Sequence, residues 1–220
     1  MKKNSLLKYF RPFNPILISI FLTGGCQATQ ISGFTPGVYD NAIVGFDDEK
    51  KIVTGYFSET SSDESRPSMR CQFYFSGKLT GSKAQLKIYQ LTLKDKPTAG
   101  TLRVEHNEKG SSINLQLEEE QPGCMNIYPK IELAKTKLSF VSPAKWIEIR
   151  MASEKKVYFY KDIVAGTKTK IYITKGDVVG VLEYKGEWAK VVYTGETKST
   201  VGWVKVTQLF TSVKFSMSQL

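Results

Sequence analysis

Apolar and polar positions alternate with a period of two along much of this chain. Ala84, Leu86 and Ile88 share one face of residues 83–91, with polar side chains between them. Ile113, Leu115 and Leu117 alternate in the same way with Asn114, Gln116 and Glu118. Successive side chains of a strand point to opposite faces, so the pattern predicts strands with one face buried. Further strands are expected at 37–46 and 51–58, on either side of the polar turn Asp47-Asp48-Glu49-Lys50, and at 70–75. Strands at 101–106 and 112–117 flank a turn at 107–110, and 60–68, rich in Ser, Asp, Glu and Pro, reads as an exposed loop. After the turn Pro122-Gly123-Cys124 a last strand is expected at 126–133. No window carries a long apolar repeat of helical period, and the one helix the pattern allows is short, near 134–138 or 143–146.

These signals predict an all-β N-terminal domain over 37–137, a meander of roughly six or seven antiparallel strands forming a small barrel or a sandwich. Residues 26–36 read as a tether and 138–152 as a linker to a second domain.

From Glu154 the pattern changes to very short strands separated by glycine turns. Lys156-Val157-Tyr158-Phe159-Tyr160 is a strand, followed by a polar excursion over 161–169 and by strands within 175–182, 186–193 and 202–206. Gly176 and Gly186 stand where tight turns need positive φ. Val179, Val181, Val191 and Val204 suit the interior of a small barrel. The turn Lys175-Gly176-Asp177 into a central strand, then Gly186-Glu187-Trp188, then the closing Gly202-Trp203-Val204, resemble the marks of bacterial SH3 domains, in the same order. The resemblance implies a C-terminal SH3-like β-barrel over 153–210, with 211–220 as a tail. It departs from the family at Ala189, where an aromatic residue is usual.

SH3-like barrels bind extended peptides across aromatic residues beside a long loop. Carried onto this chain, the resemblance implies a ligand-binding surface drawn from Tyr158, Tyr160, Tyr172, Trp188 and Trp203, with Asp162 and Lys168 from the excursion. Small domains also bury their aromatic residues. Trp203 is expected in the core, whereas Tyr158 and Tyr160, on one side of a strand, suit either role.

The N-terminus changes the picture of where such a protein works. Lys2, Lys3, Lys8 and Arg11, with no acidic residue among them, precede the apolar run 16–22, small residues and Cys26. That order describes a secretory signal peptide at 1–25, with an apolar run too short to span a bilayer. Leu22-Thr23-Gly24-Gly25-Cys26 resembles the lipobox of bacterial lipoproteins, with its leucine one position further from the cysteine than is usual in that family. The resemblance implies acylation of Cys26 (palmitate among the acyl chains), which would hold the protein in the cell envelope, membrane-anchored and facing the periplasm. Cleavage after Ala28, giving a secreted protein, is the alternative.

A hydrophobic fraction of 41% with 12% aromatic residues suits a chain with a real core. The formal charge is +10, but without the four basic residues of the leader 27 basic face 21 acidic residues. Residues 26–150 are nearly balanced, with 16 basic and 15 acidic, whereas 153–210 carry 10 basic and 6 acidic. In an exported protein that bias suits anionic envelope surfaces rather than nucleic acid, or simply solubility.

Cys71 and Cys124 remain once Cys26 is set aside, and an even pair in an oxidising compartment reads as a disulfide. Two buried thiols or half of a metal site are the alternatives. His106 is the single imidazole, placed just before a hairpin turn where a solvated role is expected. Glu118-Glu119-Glu120 and Asp47-Asp48-Glu49 are charge runs beside turns rather than a catalytic carboxylate pair. The chain has no zinc or calcium spacing and no phosphate-binding glycine loop, so neither metal nor cofactor is expected. The Cys-His pattern of a cell-wall hydrolase is missing from 27–150. The expected function is therefore a noncatalytic envelope lipoprotein that binds peptidoglycan peptide or a periplasmic protein through the SH3-like domain. The alternative is an inhibitor or immunity protein against a lysozyme-like enzyme or toxin, and an enzyme of unfamiliar design is a third reading.

Overall fold

The computed structural model describes residues 34–63, 66–90, 96–107, 110–119, 121, 124, 137–164, 166–195 and 198–210. The signal peptide expected at 1–25, Cys26, the expected tether up to residue 33, the strand expected at 126–133, residues 134–136 of the possible helix and the expected tail 211–220 lie outside them.

Eight strands pair in chain order: β1 (Gly37–Tyr39), β2 (Ala42–Asp47), β3 (Ile52–Asp63), β4 (Arg66–Thr80), β5 (Lys83–Gln90), β6 (Thr98–Asn107), β7 (Gly110–Leu117) and β8 (Lys137–Pro143). β8 returns to β1, so the meander closes into an antiparallel barrel with no free edge. The alternation read from β5 and β7 is the reason. Leu86, Ile88, Ile113 and Leu115 turn inward and meet Phe57, Phe73 and Phe75 in one apolar core. Cys71 on β4 and Cys124 beyond β7 sit in that core with their sulfurs at bonding distance, 2.02 Å.

Three sequence expectations are corrected here. The stretch 138–152 is not a linker: it holds most of β8 and all of β9 (Glu148–Ala152). Leu138 points into the barrel core, so β8 is the strand that closes it. Within the stretch expected as a loop, residues 60–63 and 66–68 are strand, because β3 and β4 continue pairing through Ser61↔Met69 to Asp63↔Arg66. A ladder already in register extends through polar residues, since its hydrogen bonds are made by the backbone. Residues 144–146 are not helical, and the Ala144 amide donates instead to Pro36 O at 3.0 Å.

β9 starts the second sheet, a curled half-barrel. Its other strands are β10 (Val157–Tyr160), β11 (Lys168–Ile173), β12 (Val178–Lys185), β13 (Trp188–Thr194), β14 (Ser199–Lys205) and β15 (Leu209–Phe210), in the order β11-β10-β14-β13-β12-β9-β15. Val157, Phe159, Val179, Val181, Ala189, Val191 and Val204 fill its inner face. The β12–β13 hairpin turn rests on Gly186 at φ 53°, and Gly176 at φ 94° stands in the turn that leads from β11 into β12. β9 pairs with β12 on one side and β15 on the other, so the sheet begins at Glu148 rather than at residue 153.

The barrel and the sheet meet along an apolar seam. Val38, Ile43, Tyr56, Tyr74 and Tyr89 on the barrel's outer face meet Ile149, Met151, Val178, Leu182 and Phe210, with Trp146 among them. β9 lies against the barrel closely enough that a Cβ on Gly45 would come within 2.8 Å of the Glu148 backbone. Trp146 in turn covers Gly180, where a Cβ would lie 2.3 Å from the indole. The seam satisfies backbone groups that β9 leaves free. The Ile149 amide donates to Thr54 Oγ1 at 2.7 Å, and the Tyr74 hydroxyl donates to Ile149 O at 3.0 Å.

On the other face of β9, Arg150 is buried with Nε 2.9 Å from Glu148 Oε1, and the Tyr184 hydroxyl donates to the Glu148 carboxylate. Burial, then the Glu148 charge, holds the Tyr184 pKa far above the ordinary phenol value. In the barrel, burial pushes Tyr39 up to about 12. Unfolded tyrosine titrates near 10.0, below both folded values. The contribution of these phenols is complete below pH 10 and is lost as pH rises from there through about 12. We expect unfolding stability to fall over that range, with part of the 295 nm phenolate absorbance appearing only together with the loss of β circular dichroism. Full phenolate absorbance in a still-folded protein would show that these hydroxyls are not sequestered.

Candidate functional site

On β10 the alternation sends Val157 and Phe159 inward and leaves Tyr158 and Tyr160 on the outer face. Cross-strand register then assembles neighbours around them. Tyr158 stands opposite Tyr172 of β11, with ring centroids 5.5 Å apart. Tyr160 stands opposite Trp203 of β14, and its ring meets Trp188 of β13 edge to face at 4.8 Å. Trp188 faces Lys205 on one side and Lys185 on the other, and Trp203 faces Lys190. The structure thus gathers Tyr158, Tyr160, Tyr172 and Trp188 on one face.

Trp203 belongs to that face as well. It is only 8% exposed, as expected of a core residue, yet it is not part of the sheet's inner core. Its chain neighbour Val204 points inward, so the indole must point outward, where the stems of Lys185 and Lys190 cover it. Asp162 plays a different part, since its carboxylate accepts the Val164 amide at 2.7 Å and shapes the loop after β10.

Lysines complete the face. The Lys168 ammonium lies 3.7 Å from the Tyr158 ring centroid and that of Lys156 4.6 Å from Tyr172. Lys205 stands 5.6 Å from Trp188, while Lys185 and Lys190 stand 5.5 and 5.8 Å from Trp203. An ammonium over an aromatic face is attracted by the ring quadrupole, about 0.5–1 kcal/mol at exposed sites. Lys190 also bonds Glu183 at 3.1 Å. Of these lysines the sequence pointed only to Lys168. The others follow from register, which sequence periodicity alone does not supply.

The remaining candidates have structural explanations. His106 Nδ1 lies 2.9 Å from Ser111 Oγ, an exposed cross-strand contact at the β6–β7 hairpin. A serine nucleophile needs its base held by a third group, and among the described residues nothing else bonds this imidazole. Asp47 accepts the Glu49 and Lys50 amides at 3.1 and 3.0 Å, so that acidic run builds a turn. Glu118 and Glu119 are exposed beyond β7. Among the described residues no group of three His, Cys, Asp or Glu side chains could hold a metal ion, and no helix is long and apolar enough to cross a membrane. No protein-family model matches the chain, and no curated protein or solved structure matches it.

Proposed function

We propose that this is a noncatalytic protein of the bacterial cell envelope, held at the membrane through a lipid on Cys26, that binds peptidoglycan through the outer face of its C-terminal sheet. The observation that carries this reading is the outward-facing cluster of Tyr158, Tyr172, Tyr160 and Trp188 with lysines beside the rings. Aromatic residues gathered on an outer face do not contribute to the sheet's inner core, and flat rings suit the sugar rings and short peptides of a wall polymer. The barrel supports the face indirectly, because the seam along β9 fixes the sheet that presents it.

The test is co-sedimentation of the mature protein with purified peptidoglycan. We expect the parent to pellet with the polymer, and Tyr158→Ala to lose about tenfold in affinity with its thermal midpoint nearly unchanged, since the side chain lies outside the inner core. An unchanged affinity in a folded Tyr158→Ala protein would remove this face from the reading.

A further inference from the structure

Resting on the wall-binding reading, we propose that the face recognises the free carboxylates of the peptidoglycan stem peptides, through ammonium groups that its aromatic rings hold in place. Lys156, Lys168, Lys185 and Lys205 are exposed, and each stands beside a ring of the face. None of the four has a carboxylate partner among the described residues. Elsewhere some surface lysines pair with acids, Lys50 with Asp47, Lys51 with Asp48 and Lys137 with Glu105, and others, such as Lys78, Lys83 and Lys87, have no carboxylate partner among the described residues. What sets this face apart is the ring beside each lysine.

That difference matters for binding. A ring restrains the long lysine stem, so part of the ordering entropy is already spent before a ligand arrives. It occupies one side of the ammonium and accepts no conventional hydrogen bond, leaving the donors on the far side for an incoming anion. The Tyr158 and Tyr172 stations are adjacent, because the rings they rest on are directly opposite one another across β10 and β11. The Trp188 and Trp203 stations continue the series across β13 and β14. An extended ligand carrying carboxylates at intervals matches such a series, whereas a single small anion would engage one station. Stem peptides supply that chemistry, with a free carboxylate on each, along a glycan whose sugar rings can stack on tyrosine and tryptophan. Glu183, bonded to Lys190, sets the fifth lysine apart, so recognition falls to the four unpaired ones.

The experiment compares native peptidoglycan with the same material after its carboxylates are converted to amides. The probe proteins are the full mature chain, its Lys168→Gln/Lys205→Gln variant, and Lys87→Gln as a control on the barrel strand β5. We expect amidation and the double substitution each to weaken binding about tenfold or more. The native interaction should also weaken on raising salt from about 50 to 500 mM, as screening of exposed charges requires, and Lys87→Gln should bind as the parent does. Equal binding of native and amidated polymer would overturn the carboxylate inference while leaving wall binding intact. Absence of binding to either polymer would overturn the wall-binding reading as well. Binding to vesicles of anionic phosphatidylglycerol in preference to native peptidoglycan would also overturn the inference, by assigning the lysines to lipid phosphate.

Discussion

Cys71→Ala/Cys124→Ala is expected to lose about 4 kcal/mol of stability, seen as a fall of roughly 10 °C in the thermal midpoint. The two cysteines are 53 residues apart in sequence, and a bridge across a loop of that length removes much conformational freedom from the unfolded chain. Its location increases the effect. Cys71 lies on β4, opposite Glu59 of β3 in the longest strand pair of the barrel, and Cys124 lies in the segment between β7 and β8. The bridge therefore ties the longest connection between barrel strands, that from β7 to β8, back to β4. Both sulfurs are buried in the apolar core, so alanine is the appropriate replacement and leaves only a small void. Thermal unfolding followed by far-ultraviolet circular dichroism measures the change. A midpoint within a degree or two of the parent would mean that the bridge is not formed in the purified protein.

Glu148→Leu is expected to cost about 3–5 kcal/mol, because it leaves a buried guanidinium without its carboxylate. The Arg150 side chain is 4% exposed and that of Glu148 14%, so water does not take over the lost role. The Tyr184 hydroxyl loses its acceptor in the same substitution. The double variant Glu148→Leu/Arg150→Leu is expected to recover a large part of the loss, since two apolar side chains replace a pair whose desolvation is costly. Urea unfolding of the parent, both single variants and the double variant gives the coupling between the two residues. Additive losses would contradict a paired, buried role. The effect should extend to the barrel, because the opposite face of β9 forms the seam with Tyr74 and Thr54.

The all-β character and several strands were legible in the sequence because those strands have one wet face and one dry face. β5 is the clearest case: Ala84, Leu86 and Ile88 alternate with exposed residues, and all three are buried. β9 escaped detection for the opposite reason. Ile149 and Met151 face the barrel while Glu148 and Arg150 face inward, so both faces are covered, and the polar-apolar alternation Glu148-Ile149-Arg150-Met151 is too short to stand out as a strand. A buried arginine reads in sequence as a solvated one. Trp146, placed by its sequence at a possible short helix, instead lies outside any helix with its indole against Gly180, which is distant in sequence.

The candidate site was partly legible. The aromatic positions came from resemblance to bacterial SH3 domains, and the structure gathers the four of them on one face. Trp203 was read both as a candidate for that face and as a core residue, and it is buried while pointing to the face, because burial and direction are separate properties of a strand residue. The positive bias of 153–210 was visible as a count, whereas its meaning depends on which ring each lysine meets. Register sets that, by placing Lys205 opposite Trp188 and Lys190 opposite Trp203.

The chain's three tryptophans provide the most direct test of the central claim. Trp188 and Trp203 lie on the proposed binding face, and Trp146 lies in the seam between barrel and sheet. Each indole gives one well-separated N–H signal in a nitrogen–proton correlation spectrum. Soluble peptidoglycan fragments titrated into the labelled mature protein are predicted to shift the Trp188 and Trp203 signals in a saturable way and to leave Trp146 in place. Saturable shifts confined to Trp146 or to barrel amides, or no shifts at all with fragments in large excess, would contradict the assignment of binding to this face.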